Sequence, residues 1–302
     1  MRFALLLLGI LPAFAQPFAD YHQHFFHPKD TGLSQDVPTI TATELVPLLD
    51  AAGIRKAIVL SVAYQFGNPN RPAVDHEYAK VRAENDWTSA QVARFPDRLV
   101  GFCGVNPLRD YAVEEIARCA KDPHLHRGLK LHFGNSDVQL EIPDQLERVR
   151  RAFREANRHR MAIVVHMHAN VNRKRPYGTE QARIFLEKLL PEAPDVPVQI
   201  AHLAGAGSFD DDVDQALGVF AAAIAHHDKR MANVYFDISI DTKKGDQIAA
   251  RVRQLGLQRI LFASDGALPG NSPKEALAKF HKLPLTDEEF RTIEANVIPY
   301  MR

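Results

Sequence analysis

Short apolar runs alternate along the chain with longer stretches in which apolar positions recur every three to four residues. The short runs are Phe18–His24, Lys56–Val62, Leu99–Val105, Gly128–His132, Ala162–His166, Val198–His202, Val234–Asp237 and Ile260–Ala263. Ala57-Ile58-Val59-Leu60 and Ile163-Val164-Val165 are apolar throughout, as strands covered on both faces are. The helix-period stretches are Ala42–Ala52, Val74–Phe95, Ala112–Ala120, Asp144–Arg158, Thr179–Leu190, Asp210–His226, Lys243–Leu255 and Ser272–Phe280. Eight strands, each followed by a helix, predict a parallel sheet, and eight such units in 302 residues fit a closed (β/α)8 TIM barrel. A doubly wound open sheet, the alternative, would show a glycine-rich phosphate turn after the first strand, and that turn is absent from the sequence. No repeat or linker divides residues 16–302, so a single barrel domain with a closing helix near Asp287–Ala295 is expected.

The first fifteen residues follow a different pattern. Arg2 supplies a positive charge, Phe3 to Leu11 an apolar core and Ala13-Phe14-Ala15 a small-x-small cleavage site, which together predict a secretory signal peptide over residues 1–15. The apolar run is about half of the roughly 20 residues a spanning helix needs, so the mature chain is expected to carry no membrane span. Export to the periplasm or the extracellular space as a soluble protein follows from that reading. Cys103 and Cys119 are the only cysteines; both sit in apolar or helix-like settings and are read as buried free thiols. Lys+Arg and Asp+Glu balance at 37 each, which gives no electrostatic footprint for nucleic acid. The remaining partner is a small-molecule substrate, and a homo-oligomer stays open.

The candidate chemistry lies where the apolar runs end. In Asp20-Tyr21-His22-Gln23-His24, alternation along a strand puts His22 and His24 on one side, roughly 6.6 Å apart along the chain. Two imidazoles so placed can share a divalent transition metal. Lys130 and His132 end the fourth run, His166 and His168 lie at the end of the fifth, His202 ends the sixth, Asp237 the seventh, and Asp265 follows the eighth. A parallel barrel gathers all of these at one mouth, where its functional groups belong.

Those segments also carry a family resemblance. Asp20-Tyr21-His22-Gln23-His24, Phe95-Pro96-Asp97-Arg98-Leu99-Val100-Gly101-Phe102, Gly128-Leu129-Lys130-Leu131-His132, Val164-Val165-His166, Ile200-Ala201-His202-Leu203-Ala204-Gly205, Tyr235-Phe236-Asp237-Ile238-Ser239 and Leu261-Phe262-Ala263-Ser264-Asp265 span nearly all of the chain after the leader. The chain resembles the amidohydrolase superfamily, in particular the amidohydrolase-related group that includes aminocarboxymuconate semialdehyde decarboxylase. The resemblance implies a metal-dependent (β/α)8 barrel holding one zinc, with His22, His24, His166 and Asp265 around the metal and His202 polarising the substrate or shuttling protons. His166 is preferred to His168 because it directly ends the apolar run. Lys130, carbamylated to bridge two metals in other branches, is expected here to bind substrate or pack in the barrel.

Three imidazoles leave a coordination position open for water, as catalytic zinc sites do. The expectation is therefore a hydrolase that directs a metal-activated water at an ester, lactone or amide, with Asp265 as general base and His202 bound to the substrate oxygen. Non-oxidative decarboxylation of a small unsaturated or aromatic acid on the same metal cup is the alternative. A non-catalytic metal-dependent binding protein is the third reading, and it would have no use for His202 and Asp265 together. Substrate carboxylates are expected to meet Lys130, His168, or Arg173 and Arg175 of the loop after the fifth strand, since a guanidinium fork matches a carboxylate.

Overall fold

Each of the eight apolar runs forms a strand in the computed structural model, which describes residues 17–27, 38–169, 175–239, 241–267 and 270–301. The expected leader lies outside the described residues. The strands are β1 (Ala19–Gln23), β2 (Lys56–Leu60), β3 (Leu99–Gly104), β4 (Gly128–His132), β5 (Ala162–His166), β6 (Val198–Ile200), β7 (Val234–Ile238) and β8 (Ile260–Phe262). All pair in parallel in chain order, β1 to β8. Among the bonds that draw the seam together, the Asp265 amide donates to the His22 carbonyl at 2.9 Å, and the Ser264 amide to Asp20 Oδ1 at 3.1 Å. The fold is a (β/α)8 barrel.

The helices are α1 (Ala42–Ala52), α2 (Glu77–Val92), α3 (Ala112–Cys119), α4 (Phe133–Ser136), α5 (Pro143–Arg158), α6 (Thr179–Ile184), α7 (Asp211–Ala225), α8 (Gly245–Leu255), α9 (Pro273–Phe280) and α10 (Asp287–Glu294). After α6 the chain continues as a π turn, Phe185–Leu189. Starts are marked by side chains that satisfy orphan amides: Thr41 with Glu44, Ser272 with Glu275 and Thr286 with Glu289 form capping boxes. Among the described residues no helix is long and apolar enough to cross a membrane.

Strand alternation divides the core. On β2, Ala57 and Val59 pack under the helices, whereas Ile58 and Leu60 face the barrel interior. The interior's lower layer of Tyr21, Ile58, Val100, Phe102 and Val164 is plugged from below by Ile298, Tyr300 and Met301. The Tyr300 hydroxyl donates to Gln199 Oε1 at 2.7 Å. Gly128 is required beside this layer, because a Cβ there would fall inside the Phe102 ring. Above the apolar floor the interior turns polar: Asp20, His22, Lys130, Gln199 and Asp237 are all buried.

Two expectations change. β1 does not alternate regularly: Asp20 pairs with Ala57 and Gln23 with Val59, so three steps on β1 match two on β2. This bulge lets Tyr21 fill the apolar floor while His22 turns into the mouth above it, a use of bulges common beside functional sites. The cysteines are not free thiols. Cys103 of β3 and Cys119 in the last turn of α3 form a disulfide with Cα atoms 6.0 Å apart, because the helix folds back on its own strand.

Candidate active site

The carboxyl ends of the strands enclose a cavity of about 200 Å³ lined by His22, His24, Tyr64, Lys130, His132, His166, His202, Ala206 and Asp265. His22 of β1 and His24 just after it have ring centroids 5.2 Å apart, and His202 lies 4.6 Å from His22 and 5.0 Å from His166. Asp265 Oδ1 is 3.5 Å from His22 Nε2 and 3.7 Å from His24 Nε2, and its Oδ2 is 3.9 Å from His202 Nε2. Ligand atoms of His22, His24 and Asp265 all lie within 4.8 Å of one another.

Hydrogen bonds from outside the cavity decide what the rings present to it. A carboxylate or carbonyl only accepts, so His22 Nδ1–H donates to Asp237 Oδ2 at 3.1 Å and His24 Nδ1–H donates to the Leu60 carbonyl at 2.7 Å. Both Nε2 atoms are therefore bare and face Asp265. The Ser239 hydroxyl gives its proton to Asp237 Oδ1 at 2.8 Å, so it accepts from His202 Nδ1 at 2.5 Å, and His202 Nε2 is bare as well. His166 Nε2 is buried with no hydrogen-bond partner among the described residues. Bare imidazole nitrogens and a carboxylate oxygen converging without donors of their own fit a divalent cation; the nearby donor is Lys130 Nζ, 3.0 Å from His22 Nε2.

Electrostatics agree with that donor set. Burial, then repulsion from Lys130, holds His24 down to about 4, and the same causes push His22 well below its ordinary value. His132 and His166 are also pushed well down, chiefly by burial. Burial lowers the Lys130 ammonium to about 8 against the pull of Asp265 and Asp237. Partial burial raises the Asp265 carboxyl, but the facing His202, His22, His24 and Lys130 outweigh it and bring it to about 2. Its side chain is 40% exposed, so the charge is open to the cavity. Neutral imidazoles beside an ionised carboxylate are the protonation states a metal requires.

β6 ends two residues earlier than the apolar run suggests. His202, Leu203 and Ala204 take left-handed φ values of 55°, 48° and 60°, and Asp265 takes 57°. Such geometry costs energy at residues other than glycine and persists where surroundings over-determine it. Here the His202 amide donates to Asp237 Oδ1 at 2.8 Å, and the Tyr177 hydroxyl donates to the Ala204 carbonyl. Asp237 thus orients His22 and the His202 turn together, with Gln199 Nε2 as a further donor at 2.7 Å.

The remaining expected residues are scattered. His132 stacks on His166 at 3.9 Å, with the tilted Tyr64 ring 5.2 Å from His132, an aromatic wall that sequence reading did not assemble. His168 stacks on Tyr177 at 3.8 Å instead of lining the cavity. Arg175 forks onto Asp137 with bonds of 3.0 and 2.9 Å, and Arg173 lies outside the described residues. Tyr64 was not anticipated; it sits in a single turn, Ala63–Gly67, too short to leave a periodic signal.

No curated protein matches the chain. Among solved structures, 5-carboxyvanillate decarboxylase from Sphingomonas paucimobilis is 14% identical with a TM-score of 0.64, covering 93% of this chain and 97% of that one. A probable 2-pyrone-4,6-dicarboxylic acid hydrolase from Acinetobacter baumannii, with citric acid bound, is 16% identical with a TM-score of 0.58, covering 92% and 96%. A 5-carboxyvanillate decarboxylase from Novosphingobium aromaticivorans, with bound manganese and a nitrobenzoic acid, is 13% identical with a TM-score of 0.61, covering 95% and 97%. The amidohydrolase family model matches residues 19–295, so that a barrel whose mouth gathers His22, His24, His202 and Asp265 belongs to the amidohydrolase family.

Proposed function

We propose that this chain is an exported metal-dependent hydrolase of an ester, lactone or amide of a small organic acid. The observation that carries the reading is the convergence of two bare imidazole nitrogens and an ionised carboxylate under a partly open cavity. His22 Nε2, His24 Nε2 and Asp265 Oδ1 would hold the ion, with His166 Nε2 as a further donor. A divalent ion supplies Lewis-acid polarisation of the substrate carbonyl and an acidified water. The imidazole-rich set suits zinc, and manganese is the alternative.

The chain's own groups supply the proton traffic. Asp265, ionised far below neutral pH and open to the cavity, accepts the proton of the attacking water. His202 Nε2, 3.9 Å from Asp265 Oδ2, is placed to take that proton and pass it to the leaving group. Ser239 and Asp237 hold the ring for this by fixing Nδ1. Lys130 adds positive charge at the floor, opposing negative charge that grows on the substrate. The Cys103–Cys119 bridge supports export, since disulfides persist in oxidising compartments.

The aromatic wall favours a second reading, decarboxylation of a flat unsaturated or aromatic acid. His132 and His166 beside Tyr64 would hold its ring while a proton taken from water and relayed by Asp265 or His202 Nε2 replaces the carboxyl group on the carbon that loses CO2. The test is metal-loaded protein on a panel of esters, lactones, amides and aromatic acids, scored for acid release and for CO2. Water addition supports the first reading and CO2 the second; Asp265→Asn should abolish either. A folded protein that takes up no divalent metal overturns both.

A further inference from the structure

We infer that the mouth has a second lobe, on the β7–β8 side, which takes an anionic group carried by the far end of the substrate. The inference rests on the metal-dependent reading above and adds a recognition site to it. A cavity of about 400 Å³ adjoins the metal cup and shares Asp265 with it. Its inner wall includes Ile238, Ala263, Ala276 and Phe280, an apolar surface for a ring or a short alkyl body. Lys279 and Lys282, from the last turn of α9 and just beyond it, line the lobe.

Lys279 is held in place. Its ammonium donates to the Gly270 carbonyl at 2.8 Å and to Asn271 Oδ1 at 3.1 Å, which leaves one of its three protons for a ligand. Asn271 in turn donates to the Ser264 carbonyl at 2.6 Å, so this cation is braced against the strand end that carries Asp265. Of the lobe's two carboxylates, Asp265 belongs also to the metal cup, and Asp241 is paired with Lys243 at 3.0 Å and feels Lys279 as well, so Lys282 is the lining cation with no ion pair among the described residues. An apolar wall between a metal cup and two ammonium groups selects a substrate with two polar ends: a scissile group over Asp265 and a carboxylate toward α9. Arg175, expected from sequence to meet a substrate carboxylate, is instead forked onto Asp137.

The experiment is calorimetric binding of isophthalate, benzoate and benzamide to the metal-loaded protein, to Lys282→Met and to Lys279→Met, with metal content measured on each. Lys282 is exposed just past the end of α9, so its variant keeps the fold even if Lys279→Met does not. The expected result is that isophthalate binds the wild type more tightly than benzoate does. Lys282→Met should weaken isophthalate about fivefold, the scale of one partly exposed ion pair, while leaving benzoate, benzamide and metal content unchanged. Equal loss for isophthalate and benzoate, no loss for either, or no binding of isophthalate to the wild type overturns the lobe. Loss of metal in the wild type fails the underlying reading instead, and is seen separately from the ligand titrations.

Discussion

Replacing Asp237 by Asn tests the site at the group that joins its parts. The fully buried carboxylate accepts four bonds: His22 Nδ1 and Gln199 Nε2 on Oδ2, the His202 amide and the Ser239 hydroxyl on Oδ1. An asparagine keeps one acceptor and replaces the other by an NH2. Facing His22 and Gln199, the NH2 sets donors against donors; facing His202, it opposes a main-chain amide that cannot turn. His22 can relieve the first clash by moving its proton to Nε2, but that removes the lone pair offered to the metal. Loss of such an orienting carboxylate typically lowers metal affinity about 10- to 100-fold, or roughly 1.4–2.7 kcal/mol. Unpaired buried donors should cost a further ~1–3 kcal/mol of folding stability. Competition against a chromophoric chelator reads the first quantity and urea denaturation of the metal-free protein the second. Asp211→Asn, on the exposed face of α7, serves as the control. Wild-type metal affinity in Asp237→Asn would refute the reasoning.

Further predictions rest on other parts of the fold. Cys103→Ser with Cys119→Ser opens a loop with a sequence separation of 16 and should cost about 3 kcal/mol in denaturation, a loss that dithiothreitol reproduces in the wild type. Gly128→Ala drives a methyl into the Phe102 ring and should cost ~1–3 kcal/mol, recovered in part by adding Phe102→Leu. Metal-free protein should lose stability as pH falls from about 6.5 toward 4: the unfolded chain then takes up protons that folded His22, His24, His132 and His166 refuse. Asp20, raised to about 6 mainly by burial, opposes this with stability that is present at low pH and fades as pH rises through about 6; a flat melting profile over this range would count against the buried neutral histidines. Metal at 100 times its Kd should add about 2.7 kcal/mol to unfolding, seen as a raised melting temperature, and His22→Ala should remove the rise.

Much of the barrel was legible because parallel strands buried on both faces leave apolar runs that solvent-facing segments do not. β4 and β5 have the limits that the runs predict, and the other strands differ by one or two residues at an end. The expected run overshoots β6 for a physical reason: nothing in Ala201-His202-Leu203-Ala204 forbids a strand, and the left-handed turn is imposed by Asp237 and Tyr177 from elsewhere in the chain. The disulfide was misread because two apolar cysteines look alike whether or not α3 brings them within bonding reach. Residue types at the site were legible as well, since polar groups at the ends of buried strands stand out. Their partners were not: Asp237 reads as one more hydrogen-bonded aspartate until β1, β6 and β7 are side by side.

The seam between β1 and β8 is the reason that types and partners separate in this way. His22 stands on the first strand, His24 directly after it and Asp265 beyond the last, so the three meet only if the barrel closes. Closure is built from the same residues: the Asp265 amide on the His22 carbonyl, and Asp20 beneath them taking Ser264 and Gln23. The β1 bulge then decides that it is His22 that turns into the mouth. A group that ties the seam therefore also sets the spacing of the donor atoms, and Asp20, which does not line the cavity but accepts from the His22 amide at 3.2 Å, controls the cup through geometry alone. The polar layer leaves charge and amide groups buried in the barrel's centre, which the apolar floor beneath must offset. Tyr300 belongs to both layers, its ring packed against Phe102 and its hydroxyl on Gln199, so the chain's last described turn supports the group that holds Asp237 in place.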